Sequence, residues 1–64
     1  MAGSTPREVY FEFTAIGSVV KVSAIDAETG TEVAVMGPAN ATQQQLEQLA
    51  LRKLRARIAQ AAPD

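Results

Sequence analysis

Val-Tyr-Phe-Glu-Phe-Thr-Ala-Ile-Gly-Ser-Val-Val-Lys-Val-Ser-Ala-Ile-Asp, residues 9–26, decides the fold. From Glu8 to Ile16 the side chains alternate: Val9, Phe11, Phe13 and Ala15 point one way, and Tyr10, Glu12 and Thr14 the other. Period-two alternation of aromatic and β-branched residues reads as a half-buried strand. Gly17-Ser18 follows, and Gly at the first position of a two-residue loop suits a type II′ turn. That turn sets Ala15 opposite Val20, Phe13 opposite Val22 and Phe11 opposite Ala24, so each inward residue of one strand meets an inward residue of the next. On the other face Glu12 meets Ser23 and Thr14 meets Lys21. Turn chemistry and alternation thus specify one register, because a slip of one residue would turn the apolar set outward.

The second strand, Val19 to Asp26, runs into Asp26-Ala27-Glu28-Thr29-Gly30, a turn sequence with Gly where a left-handed residue is wanted. Parity chooses the loop length. A four-residue loop, Ala27 to Gly30, places Ala24 opposite Val33 and Val22 opposite Val35; a three-residue loop would turn the Val residues of the third strand to the wrong face. The third strand is then Thr31 to Met36, ended by Gly37-Pro38, since Pro cannot donate to a ladder. Thr42 with Gln45 matches a capping box. From Gln43 to about Gln60 the chain has neither Gly nor Pro and is rich in good helix formers. Leu46, Ala50, Leu54 and Ile58 form one stripe, which Leu49 and Leu51 widen beyond what a single sheet face demands. The expected architecture is α+β: a three-stranded antiparallel β-meander with a C-terminal α-helix packed on one face, β-β-β-α, with dimerisation as a route to complete it. The expected core is Val9, Phe11, Phe13, Val20, Val22, Ala24, Val33, Val35, Leu46, Ala50, Leu54 and Ile58. Residues 1–7 read as a disordered lead-in, 8–60 as one domain, and 61–64 as a frayed end stopped by Pro63.

The composition narrows the function. The chain has 64 residues, six Lys/Arg against seven Asp/Glu, and no Cys, His or Trp. Disulfides, thiolate chemistry and Cys/His zinc sites are excluded, as is histidine general-base catalysis. No apolar stretch approaches the ~20 residues of a membrane span, and the N-terminus does not read as a signal peptide. A domain of about 60 residues buries only ~60% of its unfolded surface and is marginal alone. With staples excluded, packing or self-association must supply the rest.

The groups that could carry chemistry are few. Glu8 and Glu12 share a strand face, but four residues of strand separate them by roughly 13 Å, too far for a glycosidase-like pair, which needs ~5–9.5 Å. Asp26 and Glu28 flank a turn, where Asp caps backbone amides; they and Glu32 read as solvated turn and surface charge, with too few converging ligands for Ca²⁺. Ser23 and Lys21 could form a Ser–Lys arrangement, but nothing desolvates the lysine. Gly17 and Gly30 are turn glycines, not a phosphate loop. The reading is therefore of a protein that is not an enzyme, with no cofactor and no metal.

What remains is surface. Arg52, Lys53, Arg55 and Arg57 concentrate positive charge toward the helix end. Counting Glu47, the helix carries +3, whereas Glu8 to Glu32 carries −4. The cations would complement the helix dipole, steer one copy onto another or contact nucleic acid. A three-stranded sheet followed by a helix resembles, by architecture alone, plant-type and integrase-type DNA-binding domains and the latter part of double-stranded-RNA-binding domains. Such modules need a basic reading surface. The exposed sheet face here (Tyr10, Glu12, Thr14, Lys21, Ser23, Glu32, Ala34, Met36) sets two Glu against one Lys, which argues against that use. Tyr10, Ile25, Met36, Leu49 and Leu51 exceed the apolar surface a tidy monomer exposes and are the candidate interface. Strands one and three are both edges, so two copies could pair edges into a six-stranded sheet, or exchange helices through the Gly37–Ala41 connection.

The runs Glu-Val-Tyr-Phe-Glu-Phe (Glu8–Phe13), Val-Lys-Val-Ser-Ala-Ile-Asp-Ala-Glu-Thr-Gly-Thr-Glu-Val (Val20–Val33), Gly-Pro-Ala (Gly37–Ala39) and Leu-Ala-Leu-Arg-Lys-Leu (Leu49–Leu54) together resemble a family of short alphaproteobacterial proteins described only as a domain of unknown function. The resemblance spans Glu8 to about Ile58. It implies a bacterial cytoplasmic protein and carries no activity, ligand or catalytic residue to transfer. The sequence is therefore read as a small non-enzymatic interaction module acting as a homodimer and able to bind another protein. The alternative is a nucleic-acid binder using the basic helix end.

Overall fold

Alternating apolar residues and two short turns produce three consecutive strands and one helix. The computed structural model describes residues 8–61, so the expectations for residues 1–7 and 62–64 lie outside the described residues. Strands β1 (Val9–Ile16), β2 (Val19–Asp26) and β3 (Glu32–Pro38) precede helix α1 (Gln43–Ala61). They form one antiparallel sheet in the order β1-β2-β3. The register is the one alternation dictates: Phe11 opposite Ala24, Phe13 opposite Val22, Ala15 opposite Val20, then Ala24 opposite Val33 and Val22 opposite Val35. Gly17 has φ 60, and positive φ is confined to glycine among the described residues. One left-handed residue at the first turn position is the type II′ geometry, which follows the twist of the strands it joins. Gly30, with φ 76, supplies the second left-handed position.

Four boundaries differ from expectation: β1 starts at Val9 rather than Glu8 and β3 at Glu32 rather than Thr31, and the helix and β3 each end later. The helix includes Ala61, one residue past the expected end. Strand β3 extends through Gly37 and Pro38 rather than stopping at Met36. The hydrogen-bond parity explains how Pro is accommodated. Ala39 N donates to Ser18 O at 3.0 Å and Asp26 N to Thr31 O at 2.8 Å, so the bonded β2–β3 pairs use odd residues of β3. Pro38, opposite Val19, is an even residue whose nitrogen points away from β2, and no ladder bond is lost. Gly37 has its own reason to be glycine: a Cβ there would collide with Leu46 Cδ2. The helix makes its close approach to the sheet at this point.

The capping box forms between the expected residues. Gln45 N donates to Thr42 Oγ1, and Thr42 N donates to Gln45 Oε1, both at 3.1 Å. Helix α1 then lies across β2 and β3. Val22, Ala24, Val33, Leu46, Ala50 and Leu54 are buried, with Val9, Phe11, Val20, Val35, Ala41 and Ile58 half-buried around them. Phe13 is the exception to the expected core. It is 36% exposed, because the helix is displaced toward β3 and leaves the inward face of β1 only partly covered.

Candidate interaction surface

Each sheet edge presents backbone groups on alternate residues. Ala27 N donates to Glu8 O at 3.0 Å, so even residues of β1 bond to β2. The N–H and C=O groups of Val9, Phe11, Phe13 and Ala15 therefore point outward. Their side chains all lie on the inward face, so this edge of β1, unpaired by any strand among the described residues, adjoins the part of that face the helix leaves bare. Phe13 and Ala15 line a groove there with Val20, Ala41, Gln43 and Leu46, about 290 Å³ in volume. On the outer face of the same strand, Tyr10 is 54% and Ile16 50% exposed.

The β3 edge is different. Its outward groups belong to Glu32, Ala34, Met36 and Pro38. Lys53 Nζ donates to Ala34 O at 2.9 Å, Ala41 N donates to Pro38 O at 3.0 Å, and Pro38 has no N–H. A flexible lysine and a turn thus occupy two of the four carbonyls, and a proline removes one of the four donors, which blunts an edge against strand addition.

The five candidate interface residues do not form one patch. Tyr10 lies opposite Ile25 on the outer sheet face; Tyr10 is exposed and Ile25 half-buried. Met36 and Leu49 line a second groove of about 390 Å³ where α1 overhangs β3, with Gly37, Leu46 and Arg52 among its walls. Leu51 is half-buried and sits in a hollow on the helix with Gln48, Arg52 and Arg55. Phe13 and Ile16 join this apolar surface, although the sequence pattern does not single them out. Parity assigns Phe13 inward, but parity fixes a face and not how far the helix reaches across it. The signal for Ile16 is its outward parity beside the turn.

The basic residues divide as well. Arg52 and Arg55, three apart, share the hollow with Gln48 and Leu51. Lys53 turns to the β3 edge, and Arg57, four residues on, shares its flank. All four are exposed. The last helical turn contains no cation, because the helix runs on to Ala61. The dipole effect is confined to the terminal turn, so dipole complementation does not explain this cluster.

The groups considered for chemistry are placed as structure. Asp26 is fully buried, not solvated as the turn sequence suggests. Its Oδ2 accepts from Thr29 N at 2.9 Å and from Thr29 Oγ1 at 2.7 Å, and Gly30 N donates to Asp26 O at 2.8 Å. The carboxylate therefore caps the β2–β3 turn, as an Asp at a turn start does. Ser23 is buried in the middle strand between Glu12 and Ala34, while Lys21 is exposed. Among the described residues, no group of three or more acidic side chains is placed to hold a metal ion, and no helix is long and apolar enough to cross a membrane.

No curated protein and no solved structure matches the chain. A family model does match, from residue 6 through all three strands and the helix. The chain belongs to the family described as Domain of unknown function (DUF6898), whose model matches residues 6–61.

Proposed function

We propose that this protein is a small non-enzymatic interaction module of the bacterial cytoplasm whose working unit is a homodimer able to hold another protein. One observation carries the reading. The apolar face of the sheet is wider than one helix covers, so Phe13 stands 36% exposed beside the half-buried Val9, Phe11 and Val20. In so small a chain, burying an aromatic of this kind is a substantial part of the available stabilisation. Tyr10, Ile16, Met36 and Leu49, each about half exposed, add surface of the kind that partners cover. The chemistry-bearing groups support the same reading, since the Asp26 carboxylate is committed to its turn and the Ser23 hydroxyl is shut away from substrate.

The test is the mass measured by light scattering after size exclusion, across a hundredfold range of concentration. The expected result is twice the 6.8 kDa of one chain, persisting on dilution. A mass of one chain at every concentration overturns the dimer.

A further inference from the structure

We infer that the second copy joins along β1, antiparallel to its counterpart, with Phe13 on the twofold axis, giving one six-stranded sheet with both helices on the same face. This rests on the dimeric reading above and adds the surface and the register. The first argument is the contrast between the edges. Strand β3 has Ala34 O taken by Lys53 and Pro38 O by Ala41, and it lies beneath the helix. Strand β1 offers outward N–H and C=O groups on four alternate residues beside a bare apolar face. A second β1 is the complement of such an edge, because antiparallel strands exchange both bonds at each facing pair.

Charge and apolar matching select the register. The outward residues are odd-numbered, so facing residues must sum to an even number. With Glu12 on the axis, two carboxylates would face each other, which is unfavourable. With Phe11 on the axis, Glu12 would face the partner's Tyr10, and Ile16 would lie beyond the pairing. With Phe13 on the axis, Phe13 meets its own counterpart, Phe11 meets Ala15, Glu12 meets Thr14, and Tyr10 meets Ile16. All three exposed large apolar side chains of β1 then find apolar partners. Lys21 lies opposite Thr14 within one chain, so in this register the partner's Glu12 stands one strand beyond Thr14 on the same row, within reach of the ammonium. Opposite charges thus approach across the new seam. Exchange of helices is the less suited route, since the connection to α1 is tied down at both Ala39 and Ala41.

Proline substitution tests the edge, because it deletes an outward N–H without touching the β1–β2 ladder. Ala15→Pro is expected to give a chain of single mass with an unchanged far-ultraviolet circular dichroism spectrum, and Ala34→Pro on the other edge is expected to leave the dimer intact. A dimer that survives Ala15→Pro but not Ala34→Pro overturns the inference while leaving the dimeric reading standing. A wild-type chain of single mass overturns both. Because the chain has no cysteine, one introduced thiol reports the axis independently of whether Ala15→Pro folds. Facing bonded residues have Cα atoms about 5.5 Å apart, which suits a disulfide. Under mild oxidation Phe13→Cys is expected to cross-link at least tenfold more fully than Glu12→Cys or Met36→Cys. Preferential cross-linking of Glu12→Cys overturns the register, and that of Met36→Cys overturns the choice of edge.

Discussion

The Asp26 carboxylate accepts both the amide and the hydroxyl of Thr29 from a fully buried position. Asp26→Ala is expected to cost about 1.5–3 kcal/mol, the range for hydrogen bonds to a charged group, and Asp26→Asn, which keeps an acceptor, is expected to cost less. Urea unfolding at one fixed protein concentration reads both. Gly37 makes a second residue-scale prediction. Its missing Cβ is the space that Leu46 Cδ2 occupies, and Leu46 is buried, so Gly37→Ala is expected to cost about 1–3 kcal/mol as overpacking. The penalty should shrink in a Leu46→Ala background, where the clash is gone, and a double-mutant cycle measures that coupling. These two residues also mark what the sequence can express. An Asp at a turn start announces its capping role, but its complete burial at the end of β2, opposite Val9, is a tertiary fact the turn sequence does not express. A Gly followed by Pro announces a break, whereas Gly37 sits inside a strand because of a leucine nine residues away.

Elements are where the sequence speaks plainly. Register follows from alternation and loop parity, and the helix start follows from Thr42 and Gln45, whose reciprocal bonds form at 3.1 Å. Thr42→Ala is expected to lower stability by about 1 kcal/mol, the usual worth of an N-cap, by loss of helical dichroism on heating. Leu54, buried between sheet and helix, should cost about 2–5 kcal/mol when cut to Ala. What periodicity does not convey is lateral position. A stripe of Leu46, Ala50, Leu54 and Ile58 says that the helix lies on the sheet; it does not say over which strands. Alignment over β2 and β3 rather than over the centre exposes Phe13 and brings Lys53 to Ala34, and both follow from packing between residues far apart in sequence. The candidate interface is legible only in part for the same reason: Tyr10 and Ile25 pair as parity requires, whereas Met36, Leu49 and Leu51 fall on other surfaces.

At the scale of the whole molecule, a homodimer makes stability depend on concentration. The urea midpoint is expected to rise as protein concentration is raised a hundredfold, by the mass-action linkage of folding to association; a midpoint independent of concentration speaks for a self-sufficient monomer. Small size and the absence of cysteine are enough to raise that expectation. The inequality of the two sheet edges can be read from the chain only at Pro38, since the rest depends on a turn at Ala41 and on one lysine reaching a carbonyl 19 residues away. That contact also determines how an assembly ends. A sheet with one adhesive side can join only once, and joining consumes the side. Release the Ala34 carbonyl, as Lys53→Met would, and only Pro38 and its turn still blunt the second edge, so each copy gains a second, weaker place to attach and growth past two begins. The expected product is a polymer detectable by turbidity and by dyes that bind stacked strands. The Lys53 ammonium and Pro38 together are then the difference between a particle that counts to two and a fibre.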